Sequence, residues 1–296
     1  MALKLPTPLP AIPSLWSHNL SAPPRGLCLA REKGWLLAWD EKHWLYLLNQ
    51  AGKLQGQRQF PTGISAACCA DDGSALAAIG HQGEVWWLAP DLSTRWEQRL
   101  PARTVTAAID SFGQYLAVSD VQGGLHLLDR LGRVFGTVQS PRPFQHLAFV
   151  PTKCYIVGSA DFGLVAGLDF KGRWAWRDGL VVHVGALAVS GDGEQVALAC
   201  FSEGLHRYAM TGQKLEPIRT REPCRLVSLT FDGSRMLVSG LSNQFLLLDG
   251  SGQVLRQFPL DAPPAALAIG ALGQAAFVAL PEGRIVALDL SLSSAR

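Results

Sequence analysis

Short apolar runs separated by Asp, Gly, Gln and Pro return along the chain at intervals of 40 residues. Residues 64 to 69 (ISAACC), 75 to 79 (ALAAI), 85 to 89 (VWWLA) and 94 to 100 (TRWEQRL) are strand-length segments bounded by turn formers. The same partition recurs at 105 to 109, 115 to 119, 125 to 129 and 134 to 140. Three registers hold the period. One is a turn glycine after the first run, at Gly73, Gly113, Gly193, Gly233 and Gly273; a second is a leucine late in the third run, at Leu48, Leu88, Leu128, Leu168, Leu248 and Leu288. The third is a glycine after that leucine, at Gly52, Gly132, Gly172, Gly212 and Gly252. Asp72, Asp192 and Asp232 precede the first glycine, and Asp-Gly predicts a hairpin because glycine takes positive φ without steric cost. The Leu-Asp-x-x-Gly spacing after the third run predicts a second tight turn.

Four antiparallel strands in about 40 residues are the unit of a β-propeller blade. Repeats begin near residues 25, 64, 104, 144, 184, 224 and 264, which makes seven, but Arg296 follows Asp289 too closely for the seventh to have a fourth strand. The fourth strands end at Phe60, Leu100, Ser140, Leu180, Thr220 and Leu260. One period before Phe60 is Leu20, and Trp16 falls in phase with Trp96 and Trp176. Residues 14 to 20 are therefore expected to be the outer strand of the last blade, closing the ring and removing the open sheet edge of a linear array. The expected fold is an all-β, seven-bladed propeller of four-stranded antiparallel blades, a single domain over residues 14–296. Ahead of it lies a Pro-rich tail, residues 1–13, either a docking peptide or a surface leader.

Composition narrows the function classes. Lys plus Arg number 26 and Asp plus Glu 24, so a net charge of +2 supplies no general attraction to nucleic acid or anionic membrane. No apolar run approaches the ~18 to 20 residues of a spanning helix, and the Pro-rich N-terminus does not read as a secretion signal. The expectation is a cytoplasmic protein that neither binds nucleic acid nor inserts in a membrane. Cys28 and Cys68 share a column with Ala108, Ala148, Ala188, Ser228 and Ala268, where only small side chains occur. They read as small hydrophobes of close-packed first strands, as does Cys69 in the next column. Cys154, in a turn, is expected to be the exposed thiol. His126 and His206 share a column of the third strand two blades apart, which predicts packing with a satisfied ring nitrogen rather than a metal site. No cofactor and no metal are expected.

The period, the Asp-Gly turns and the closing strand resemble those of the WD-repeat and quinoprotein-like seven-bladed propellers over nearly the whole chain. The Trp-Asp pair of that family stands here as Leu128-Asp129, Leu168-Asp169, Leu248-Asp249 and Leu288-Asp289, and no Gly-His precedes the first strands. The resemblance implies that fourth-to-first and second-to-third connections share one face, the top. Candidate partner-binding residues on it are Arg25, Trp39, His43, Trp44, His81, Arg103, Arg142, His183 and Arg221. Trp39 and Trp44 bracket the first blade's top loop beside Arg25 and near His81, a concentration of residue types that dominate interface hot spots. Arg103, Arg142 and Arg221 suit an acidic peptide or a phosphate. The leading expectation is a non-enzymatic scaffold or adaptor, a component of a larger complex. One alternative is a lactonase-like hydrolase with a dispersed central site; another is an assembly factor similar to periplasmic outer-membrane scaffold propellers.

Overall fold

In the computed structural model, which describes residues 14–291 apart from 163, 180, 181 and 221, the chain forms seven four-stranded antiparallel sheets. Blade 1 runs Pro24–Ala30, Trp35–Asp40, Trp44–Leu48 and Leu54–Gln59 from the axis outward. Blade 2 follows with Ala66–Cys69, Leu76–Ile79, Glu84–Leu88 and Thr94–Arg99. The innermost strands of blades 3 to 7 are Thr104–Ile109, His146–Val150, Val184–Val189, Leu226–Leu229 and Ala266–Ile269. No helix occurs among the described residues.

The outermost strand of blade 7 is Ser14–Asn19, paired antiparallel with Arg284–Asp289 from Ser14 opposite Leu288 to Asn19 opposite Arg284. The ring closes as the forty-residue spacing predicts. The Pro-rich tail, residues 1–13, lies outside the described residues.

The turns show why the period is written in Asp and Gly. After the third strand of blade 3, the Asp129 carboxylate accepts hydrogen bonds from the backbone N–H groups of Leu131 and Arg133 at 2.9 and 3.0 Å. Asp169 and Asp249 repeat this with Lys171 and Arg173, and with Ser251 and Gln253. The carboxylate satisfies turn donors that no strand can reach. Gly52, at φ +76°, also receives the Trp16 ring against its face; a Cβ there would lie 2.4 Å from that ring. Trp16 donates its Nε1–H to the Gln50 carbonyl at 2.9 Å, and Trp96 does the same to Arg130 one step round the ring at 3.0 Å. Outer-strand tryptophans thus tie blade 7 to the turn of blade 1 and blade 2 to the turn of blade 3.

The core is not one mass. It is seven apolar clusters, one at each blade boundary, from Leu37, Leu45 and Leu76 between blades 1 and 2 round to Leu36, Phe277 and Ile285 between blades 7 and 1. Strands squeezed between neighbours bury both faces and so read as continuous apolar runs, which accounts for the low charge. Along the axis runs a cavity of about 390 Å³ lined mainly by first-strand side chains.

Candidate functional site

The first blade's top loop is built on Asp40, buried at the end of the second strand. Its Oδ1 accepts from the backbone N–H of Lys42 and Trp44, both at 3.0 Å, and its Oδ2 from the Tyr46 hydroxyl at 2.9 Å. Those bonds hold His43 at φ +64°, in the left-handed region. Its counterparts one, two and six periods on are glycines, Gly83, Gly123 and Gly283, at φ +99°, +85° and +94°. A side chain at such a φ costs on the order of 1 kcal/mol relative to glycine. His43 Nδ1 is also buried with no hydrogen-bond partner among the described residues.

Around His43 the structure gathers most of the predicted top-face residues. The His43 and His81 rings meet edge to face with centroids 5.8 Å apart, and both close on Gly63. Arg103 donates its Nε–H to the His81 carbonyl at 3.3 Å, and Arg25 stands close enough to act on His81. Arg25 and Arg103 are exposed, and neither forms an ion pair among the described residues. Trp44 is half-buried against Tyr46. Trp39 is 8% exposed, packed so tightly on Gly26 that a Cβ there would overlap its ring, and its Nε1–H has no partner among the described residues. It contributes shape to the site and little surface.

Arg142 and His183 belong to a second group on blades 4 and 5. Arg142 donates to the Asp161 carbonyl at 3.3 Å, His183 Nδ1 lies 2.9 Å from Asp161 Oδ2, and the His183 ring sits between Phe162 and Phe201. Phe162 is exposed, at φ +51°. Asp161 and Phe162 lie in the second-to-third-strand turn of blade 4. Arg221 lies outside the described residues.

Sequence reasoning missed the floor of the axial cavity. Arg31 and Asp71 form a bidentate pair, Nε to Oδ1 and Nη2 to Oδ2 both at 3.0 Å. Ser111 donates to Asp71 Oδ2 at 2.7 Å, and Arg31 Nη1 reaches across the axis to the Val189 carbonyl at 3.3 Å. The signal was a polar column: residues 31, 71 and 111 are one period apart. The histidine column has satisfied ring nitrogens, as expected. His126 Nε2 is 2.7 Å from Asp120 and His206 Nε2 is 2.6 Å from Glu203, each within its own blade. Cys154 is exposed, Cys68 and Cys69 are buried, and Cys28 is half-buried in the cavity wall.

His146 and His81 are held below the ordinary imidazole value of 6.5. Burial depresses His146, against a partly opposing hydrogen bond to the Val184 carbonyl; burial and then the charges of Arg25, His43 and Arg103 depress His81. A lowered histidine is protonated in the unfolded chain before the folded one, so the fold loses stability as pH falls through about 6.5. The Tm is therefore expected to fall between pH 7.5 and 5.5, and His146→Gln to shrink that fall. An equal fall in the variant, by calorimetry at both pH values, would contradict this origin.

Compared with known families and curated proteins, the chain matches no family model and no curated protein.

Proposed function

We propose that the protein is a non-enzymatic binding platform, a divergent WD-repeat-like adaptor acting in the cytoplasm as part of a larger assembly. Its blade 1 to 3 top face holds an acidic segment of a partner protein. The observation that carries this reading is His43, a side chain kept at a positive φ where blades 2, 3 and 7 use glycine, with a buried ring nitrogen left without a partner among the described residues. Natural chains break local rules of this kind mostly at functional sites. Arg25 and Arg103 flank it without carboxylate partners among the described residues, so the positive charge there is available to an acidic ligand. The Leu-Asp turns at the positions of Trp-Asp support kinship with WD-repeat propellers, and free thiols at all six cysteines fit a reducing compartment.

The test separates stability from function. His43→Gly relieves the backbone strain and is expected to raise stability by about 1 kcal/mol, a Tm increase of about 2 °C. The same variant, and Arg25→Glu with Arg103→Glu, are expected to lose the proteins that the wild type retains in affinity purification from native lysate. Unchanged retention by both variants would refute the assignment of this face. A turnover abolished by top-face substitutions would refute the non-enzymatic reading.

A further inference from the structure

Cys28 and Cys69 lie on the innermost strands of adjacent blades, in neighbouring columns of the repeat. Their Sγ atoms are 3.4 Å apart, with the Cys69 thiol donating to the Cys28 sulfur. Both line the axial cavity, whose floor is the Arg31–Asp71 pair. These two strands belong to different sheets, so a bond of about 2.05 Å between the sulfurs would cross-link blades 1 and 2. No third ligand stands with them: among the described residues no group of three or more His, Cys, Asp or Glu is placed to hold one metal ion.

We propose that Cys28 and Cys69 are a redox-active dithiol that a hydroperoxide converts to a disulfide, fastening the inner strands of blades 1 and 2 together. The asymmetry of the pair assigns the roles. The hydrogen bond from Cys69 lowers the Cys28 thiol against the opposing effects of burial and the Asp71 charge, while that same bond and burial push the Cys69 thiol well up. The Cys28 thiolate attacks one peroxide oxygen; the S–O bond forms, the O–O bond breaks, and the departing alkoxide takes the proton Cys28 gave up. Cys69, giving its proton to the leaving hydroxide, then displaces it from the Cys28 sulfenic acid. Two thiols and one hydroperoxide become a disulfide, an alcohol and water. For hydrogen peroxide the alcohol is a second water. The other cysteines are poorer candidates: burial pushes Cys200 up to about 11 and Cys224 up to about 12, and raises Cys68 well above its usual value.

The experiment treats the full chain, in a Cys154→Ser background that removes the exposed thiol, with one equivalent of hydrogen peroxide. It is then denatured in N-ethylmaleimide and mapped by mass spectrometry. The expected result is a Cys28–Cys69 linked peptide two hydrogens lighter than its parts, with the other three of the five remaining cysteines alkylated. Adding Cys69→Ser abolishes the link and leaves a Cys28 sulfenic acid that a cyclic 1,3-dione captures. Five alkylated cysteines in the treated protein would overturn the proposal. So would a link from Cys68 to either neighbour in place of Cys28–Cys69, or sulfinic acid at Cys28 without a link.

Discussion

Deleting residues 1–20 is expected to abolish cooperative folding, or to lower Tm by more than 10 °C and leave an aggregating chain. The Ser14–Asn19 strand carries the start of the chain into the last blade and so ties blade 7 to blade 1 through the backbone. It makes the outer ladder of blade 7 with Arg284–Asp289, Leu20 N–H donates to the Gly283 carbonyl at 2.7 Å, and Ser21 N–H donates to the Tyr46 hydroxyl of blade 1 at 3.1 Å. Trp16 packs against Phe277 with ring centroids 5.9 Å apart while bonding the Gln50 carbonyl of blade 1. Without the strand, blade 7 keeps three strands, its apolar boundary with blade 1 opens, and Arg284–Asp289 becomes an unpaired edge. The lost ladder and burial sum to on the order of 5 kcal/mol or more, comparable to the whole stability of many domains. The forty-residue spacing supplies a sharper control: position 294 is in phase with residue 14, seven periods on. A permutant lacking residues 1–20 and carrying residues 14–20 directly after Ser293 is expected to recover most of the loss. A deletion that melts within about 3 °C of the full chain would show that the ring does not depend on its closing strand.

That closure was legible in the sequence for a simple reason. A propeller repeats one supersecondary unit, so any side chain forced by local geometry recurs at a fixed interval. Asp129 and Asp169 are forced by turn donors, and the small column at Cys28, Cys68 and Ala108 by convergence on the axis. The top face was legible only as a set of loops. Which loops meet is decided by the ring: His43 and His81 converge on Gly63, whereas Arg142 is drawn away to Asp161 on another blade. Trp39 looked like an exposed anchor because it flanks a loop, but the absence of a Cβ at Gly26 lets its ring fold inward over the cavity. His43 was readable in part, as one of three departures, with Glu203 and Asn243, from a column that is glycine at residues 83, 123 and 283. The columns that break the period are therefore where function is to be sought, and those that keep it are where stability resides.

Trp87→Ala tests the stability half of that division and is expected to destabilise the protein by about 3 to 5 kcal/mol, lowering Tm by about 5 to 10 °C. Trp86 and Trp87 are consecutive in the third strand of blade 2, so their side chains leave opposite faces of the sheet. Trp86 packs toward blade 1 and donates its Nε1–H to Glu97 at 3.0 Å; Trp87 enters the boundary with blade 3 among Leu116, Val118 and Leu128. Trp87 is 2% exposed, and its ring stacks on Trp96 of the outer strand with centroids 5.7 Å apart. Removing it empties a volume that two sheets, each held by its own ladder, cannot close by small shifts, so the penalty contains the cavity as well as the lost transfer energy. Trp96→Ala removes the half-buried partner from the other side of the same stack. Solvent can fill its place, so it is expected to lower stability by about 1 to 2 kcal/mol. The double variant should then fall short of the sum of the two by the stacking energy, about 0.5 to 1.5 kcal/mol. Equal Tm values for Trp87→Ala and Trp96→Ala in a thermal melt would mean that the blade 2–3 boundary is not a close-packed interface, and that the ring is held chiefly by its ladders and turns.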